Sequence, residues 1–425
     1  MKIINLITLL VLLAGCAGKP QTDVVWAVNV GGSAYTGVDG TEYVAEQNVA
    51  GGTVGTLEKV LGSQDEALYL TYREGDVRVA APIANGTYDV TLHFVEPAEI
   101  AGGERVFDAY VEEQLVIDDI DVMAWRDGKV VSALTVTVPD AVVDDGELNV
   151  HFEASAAQPV LSGIVVRIPH DKATDWQLVW SDEFNYSGAP DPDKWSLREW
   201  PSRKVNDENQ AYTKREKNVR VEGGNLIIEA HKEQFADAEY TSARLHSAGK
   251  GEFLYGRIEA RALLPAGKGT WPAIWMLPAD PFRYATRCED GEWQGNPDCD
   301  AWPNSGEIDI LEHVGYQMNH VHGTVHNEAY FWAKWNQRKG RILLDDVAGS
   351  FHTYSMEWDS DVIRMYVDDT LYFVYANEGE GWAAWPYDHP FFLIMNVAVG
   401  GYWGRAGGGI DESIFPQRML VDYVR

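Results

Sequence analysis

The sequence predicts an all-β chain built of two β-sandwich domains in series. Apolar residues alternate with polar ones at period two from residue 24 onward, the spacing of half-buried strands, and no stretch sustains helical periodicity. Turn signals such as Asn85-Gly86 and Asp144-Asp145-Gly146 stand directly ahead of strand-like runs, as a hairpin-rich antiparallel fold requires. The 425 residues are also more than one core accommodates, which divides the pattern between two domains.

In the first half, strand-like runs fall at 24–30, 68–72, 88–94, 106–111, 134–138, 148–152 and 164–168, separated by turns rich in Gly and Asp. Residues 169–174 break the pattern and form a linker. From Trp176 the alternation resumes in longer, more aromatic runs, at 225–230, 256–263, 307–312, 352–358, 362–367 and 391–397. The expected boundaries are 1–21 for a signal and tether, 22–168 for the first domain, 169–174 for the linker and 175–425 for the second domain. No tandem repeat or long low-complexity segment interrupts this order.

Composition narrows the class of ligand. Acidic residues outnumber basic ones by 65 to 34, a net charge of −31 that repels a phosphate backbone and sulfated polymers, so nucleic acid is excluded and a neutral substrate fits. The acids are scattered, and they also serve solubility. Sixteen Trp supply flat apolar faces, the surface on which sugar rings stack.

At the N-terminus, Met1-Lys2 precedes an apolar run at 3–13 that is too short to span a bilayer, and Leu13-Ala14-Gly15-Cys16 follows. The order resembles a bacterial lipoprotein signal. That resemblance implies cleavage before Cys16, acylation of its thiol, and export to the outer membrane or cell surface with the membrane as a partner. An ordinary signal peptide cut near Ala17 is the alternative. Cys288 and Cys299 then remain as an even pair in an exported chain, expected to form a disulfide. A monomer is expected.

The segment that carries chemistry is Gly306-Glu307-Ile308-Asp309-Ile310-Leu311-Glu312-His313. In a regular strand Glu307 and Asp309 share a face, and Glu312, five positions after Glu307, points to the opposite one. One β-bulge between Asp309 and Glu312 would bring it back. Three carboxylates on one face push their pKa values apart and leave one acid protonated near neutral pH, as glycoside hydrolysis requires. Taken alone, such a strand reads more readily as the solvated polar face of a sandwich.

Its flanks change that reading. Trp271-Pro272-Ala273-Ile274-Trp275-Met276-Leu277-Pro278 precedes it and Gly323-Thr324-Val325-His326 follows. Trp180-Ser181-Asp182-Glu183-Phe184, Tyr240-Thr241-Ser242-Ala243-Arg244-Leu245 and Asn396-Val397-Ala398-Val399-Gly400-Gly401 extend the pattern, so residues 176–425 resemble glycoside hydrolase family 16, in particular its laminarinase-like members. The resemblance implies a concanavalin-like sandwich with a substrate cleft and an endo-acting, retaining β-1,3-glucanase that needs no cofactor for catalysis. Glu307 would be the nucleophile, Glu312 the acid and base, and Asp309 the group that tunes the nucleophile.

By the same resemblance Trp271 and Trp275 are stacking platforms, His326 lines the cleavage subsite, and Arg244, Glu208, Gln210 and Asn396 match polar positions near the cleft. Trp382 is a further candidate stacker, whereas ordinary packing accounts equally well for Trp332, Trp335 and Trp385. Glu183, Gly224 and Asp422 match oxygen donors of a structural calcium. Residues 282–303, carrying both cysteines, stand out as an insertion that could wall off part of the cleft.

Residues 24–168 resemble malectin-like domains through Ala27-Val28-Asn29-Val30-Gly31-Gly32, Leu92-His93-Phe94, Arg105-Val106-Phe107-Asp108 and Leu161-Ser162-Gly163-Ile164. This implies a carbohydrate-binding jelly roll, with Tyr35, Tyr43 and Trp125 as candidate stackers and Asp108 and Asp119 as polar partners. Pro97-Ala98-Glu99 replaces the Tyr-Phe pair of the animal member, and a spacer role is the alternative. For the whole chain, the alternatives are a mixed-linkage β-1,3-1,4-glucanase, an agarase-type galactan hydrolase, or a surface protein that binds glycan without cleaving it.

Overall fold

The computed structural model describes residues 24–126, 128, 131–169 and 176–425; the lipoprotein signal with Cys16 and most of the linker lie outside them. The described chain is all-β, with only single helical turns between strands. Expected strands at 106–111, 256–263, 307–312, 352–358 and 362–367 recur with the same bounds. The run 68–72 does not: Glu66–Tyr69 forms a helical turn that buries Leu68 and Tyr69, and the strand begins at Thr71. Its period-two pattern served two consecutive half-turns of different structure.

The first sandwich packs the strands Val24–Asn29, Gly163–Arg167, Gly86–Val95 and Ala133–Val143 against a second sheet formed by Gln114–Ile120, Val106–Val111, Glu147–Ala156, Arg78–Pro82 and Val49–Ala50. Phe94, Phe107 and Phe152 meet edge to face at the centre of its core, with ring centroids 5.7–6.0 Å apart. In the second sandwich one sheet runs in the order Arg338–Leu343, His320–His326, Glu307–Glu312, Thr270–Pro278, Phe391–Val399, Arg244–His246 and Ser196–Leu197. Its inner face closes on an eight-strand path from Gln210–Tyr212 to Thr370–Ala376.

The two sandwiches are not merely in series. Ala133–Val143 pairs in parallel with Arg338–Leu343, at Thr137 and Ile342, so one sheet of each sandwich joins the other in a single twelve-stranded sheet. Arg341, only 2% exposed, seals the junction: its guanidinium lies 4.5 Å from the Trp125 ring and donates to the Trp125 carbonyl at 3.4 Å. Further bonds cross elsewhere, between Gln64 and the backbone of Ala376 and from Arg338 to the carbonyl of Ser63. A polar hollow of about 100 Å³, walled by Tyr43, Tyr69, His93 and Thr135 on one side and Arg338 and Phe373 on the other, lies between the domains and away from the carboxylate strand.

A shared sheet and a buried cation at the junction couple the domains, so scanning calorimetry of the full chain should give one unfolding transition. Arg341→Ala should lower its Tm and split it in two. Two well-separated transitions in the unsubstituted protein would contradict this coupling.

Candidate active site

Gly306 opens the carboxylate strand at φ +90°, where a Cβ would also press on Phe391, Pro386 and Tyr387 at 3.0–3.1 Å, so glycine is required. Glu307 then pairs with His326 and Asp309 with Thr324, whereas Glu312 pairs with His322: three steps along one strand against two along the other. On the opposite side Trp275 pairs with Asp309 and Ile274 with Leu311, which leaves Ile310 as the extra residue. The bulge expected between Asp309 and Glu312 is present. Ile308, Ile310 and Leu311 all enter the core while the three carboxylates line the other face. The freed Ile310 carbonyl accepts a hydrogen bond at 2.9 Å from Tyr372, on the opposite sheet. Tyr372 reaches it across Gly323, where a Cβ would lie 2.7 Å from the hydroxyl oxygen.

Indole donors hold the outer two acids. Trp302 Nε1 donates to Glu307 Oε2 at 3.0 Å, and Trp271 Nε1 to Glu312 Oε1 at 3.0 Å. Tyr387 donates to the His326 carbonyl, fixing the strand that pairs with Glu307. Asp309 is 3% exposed, and its Oδ2 makes no hydrogen bond among the described residues. His326 Nε2 lies 3.6 Å from that oxygen.

The electrostatics follow from burial. Glu307 is pushed up to about 8, first by desolvation and then by the charge of Glu312, against the pull of Trp302 and Arg244. Asp309 is held well above the carboxylate range by desolvation and then by its two acidic neighbours. Burial pushes His326 down to about 3, so it meets Asp309 as a neutral imidazole and not as an ion pair. Glu307, Asp309 and His326 have potential ligand atoms within 4.8 Å of one another, a spacing that lets protons redistribute within the group.

A second cluster flanks the carboxylates. Arg244 is buried between the rings of Trp200 and Trp275, 4.6 Å from each. Asn396 accepts from Trp275 Nε1 at 2.8 Å and donates to the Tyr212 hydroxyl, which donates to Glu208. Glu208 also accepts from Gln210, whose own oxygen caps the Val399 amide. Glu208 and Gln210, matched to polar positions near the cleft that could instead brace the sheet, are buried with their polar atoms engaged, and they support Trp275 through Tyr212 and Asn396. Trp382 does not join the carboxylates: its ring stacks on Tyr284 of the insertion at 5.4 Å.

The insertion does reach the site. Cys288 and Cys299 are bonded within it, and Trp302 at its end provides the hydrogen bond to Glu307. Sequence reasoning missed Trp302, Trp200 and Tyr372. Trp302 had a signal, since it stands only five residues before Glu307; the other two are distant in sequence and come close only through the fold. Trp332 and Trp335, 48% and 52% exposed, stand beyond Phe331, which packs on Trp302, whereas Trp385 is buried.

Of the expected calcium donors, Glu183 and Asp422 pair with arginines of the chain. Glu183 takes a two-pronged ion pair from Arg425, and Asp422 pairs with Arg261 at 2.6 Å, so cations of the chain already satisfy both carboxylates. Two of the expected malectin-like stackers are likewise engaged: Trp125 lies under Arg341, and Tyr43 is buried with its ring stacked on Tyr35 at 4.9 Å. Asp108 and Asp119 sit with Asp118 in a surface acidic group.

The family model for glycosyl hydrolases family 16 matches residues 206–425, and that for the malectin domain matches residues 24–174. The chain belongs to glycosyl hydrolases family 16. A β-glucanase of Rhodothermus marinus is 49% identical over 261 residues, covering 60% of this chain and 86% of the relative. The solved laminarinase of Rhodothermus marinus superposes with a TM-score of 0.53 at 48% identity, over 61% of this chain and 98% of that one. A family 16 structure described as a non-specific endo-β-1,3(4)-glucanase gives a TM-score of 0.53 at 40% identity, over 61% and 93%. As a family 16 protein this chain is a glycoside hydrolase, and its relatives support endo-hydrolysis of β-glucan.

Because the Trp302 indole favours the ionised form of Glu307, Trp302→Phe should raise the Glu307 pKa and move the acidic limb of kcat/KM to higher pH. Loss of a hydrogen bond to a charged group also predicts roughly a tenfold fall in kcat/KM near neutral pH. A pH–rate profile with an unmoved acidic limb would refute this role for Trp302.

Proposed function

We propose that the protein hydrolyses β-1,3-glucan of the laminarin type with net retention of configuration, using Glu307 as nucleophile and Glu312 as general acid and base. The observation that carries this reading is the single-residue bulge that sets Glu307 and Glu312 on one face, each steered by an indole N–H, with the buried Asp309 between them. Glu307 attacks the anomeric carbon as the glycosidic C–O bond breaks, and the Glu312 proton passes to the departing oxygen. Water then attacks the glycosyl-enzyme, Glu312 takes its proton, and Glu307 is released.

Asp309, which keeps its proton by burial, favours ionised Glu307 beside it. The positive charge of Arg244 acts in the same direction. Trp275, backed by Arg244 and Asn396, offers a face to a sugar ring, whose own C–H faces are apolar. The relative described as a β-glucanase supports a β-glucan substrate, the one described as a laminarinase supports laminarin, and the one described as a non-specific endo-β-1,3(4)-glucanase supports some tolerance of mixed linkages.

Glu307→Gln should lower kcat by about a thousandfold or more while leaving the Tm within a few degrees. Glu312→Ala should retain the first step on substrates with good leaving groups and respond to azide with faster turnover and a glycosyl azide product of retained configuration. Proton NMR of the first product anomer tests the scheme: an inverted anomer refutes it.

We also propose, from residues 13–16, that Cys16 is acylated and holds the enzyme at the bacterial outer membrane or cell surface. Cys16→Ser should move the protein from the membrane fraction to the soluble one. Continued recovery in membranes would overturn the anchor.

A further inference from the structure

The alternation along Arg338–Leu343 fixes which side of the shared sheet each part of the N-terminal domain occupies. Ile342 faces the core of the second sandwich, so Lys339 and Arg341 face the carboxylate side. Thr137 is the partner of Ile342, and its neighbours Val136 and Val138 belong to the core of the first sandwich. Cβ directions alternate, so that core lies on the carboxylate side of the common sheet. The second sheet of the N-terminal domain therefore rises beside the cleft and not behind it.

The contacts agree. From Glu312 an unbroken series of rings and cations leads outward: Trp271 donates to Glu312, Trp403 meets Trp271 at 5.6 Å, and His322 meets Trp403 at 5.0 Å. Arg341 then lies 3.5 Å from His322 and 4.5 Å from the Trp125 ring, which also packs on His320 at 4.6 Å. Trp125 closes the helical turn Val122–Trp125 of the N-terminal domain and is 8% exposed, so the junction is shut.

We propose that this turn is the end wall of the catalytic cleft and limits how many sugar rings can lie on the sheet beyond the point of cleavage. Strands are about 4.8 Å apart, and Arg338–Leu343 is the second strand from Glu307–Glu312, so the floor on that side extends only about 10 Å before the wall. That suits a short oligosaccharide. On the other side the floor continues through Trp275 and Arg244 to Trp200. The N-terminal domain thereby acts as a specificity element of the enzyme, through its position and not through a sugar site of its own.

The inference rests on the β-glucanase reading above. Its test compares the full-length protein with Trp125→Ala and Trp125→Phe on linear β-1,3-gluco-oligosaccharides of defined length, with one end labelled and products separated by mass. Trp125→Ala should shift the preferred cleavage position, changing the ratio of product lengths from the longer substrates by about threefold or more, with kcat/KM on the shortest cleaved substrate nearly unchanged. Trp125→Phe, which keeps an aromatic wall, should reproduce the parent pattern. If Trp125→Ala fails to fold, His320→Ala opens the same wall from the opposite domain and is held to the same expectation. An unchanged product pattern in a folded variant, or an equal loss at all lengths, overturns the wall. A parent enzyme that cleaves none of these substrates overturns the glucanase reading instead.

Discussion

The hydrogen bond from Tyr372 to the carbonyl of Ile310 is the contact on which the active site depends. Six residues at strict period two cannot put Glu307, Asp309 and Glu312 on one face. The extra residue that corrects the phase takes a peptide group out of the ladder, and a buried carbonyl without a partner costs about 1–3 kcal/mol. Tyr372 meets that demand from the opposite sheet, and Gly323 leaves the space for it to do so. The bulge is thus held by the core as well as by its neighbouring strands.

Once the carboxylates share a face, burial sets their protonation. Desolvation raises Glu307 and Asp309 together, and the donors aimed at Glu307 oppose that rise: Trp302 directly, Arg244 through its charge. Arg244 is itself confined between two rings, and one of these, Trp275, is fixed by Asn396, Tyr212 and Glu208 in turn. This polar chain starts from Asn396, which stands across Ala273 from Glu312 on the carboxylate face, and it fixes the tilt of the Trp275 ring.

The relation between the domains rests on the same alternation. A parallel pairing between Ala133–Val143 and Arg338–Leu343 commits both sheets to one phase, and a shift of one residue would have placed the N-terminal core on the convex side. Arg341 reinforces the choice, because its buried guanidinium reaches the Trp125 carbonyl and ring across the junction while it also donates to Gln317 of its own domain.

The sequence by itself determined the all-β class, the two sandwiches, most strand positions and the three acids, since period two and a dense local motif are properties of neighbouring residues. It also indicated the bulge, because Glu312 was out of phase in a segment whose flanks resemble the catalytic strand of glycoside hydrolase family 16. It mistook 68–72 for one strand, since five residues of alternation cannot separate a strand from a turn that buries Leu68 and Tyr69. Only the tertiary structure decided what satisfies the bulge, that Glu208 and Gln210 are buried with their polar atoms engaged, that Glu183 and Asp422 are held by arginines, and that Trp125 lies under Arg341. Most of these contacts join residues tens to hundreds of positions apart in the chain, brought together by strand pairing, by the packing of one sheet on the other or by the domain junction, and local periodicity carries no information about such partners.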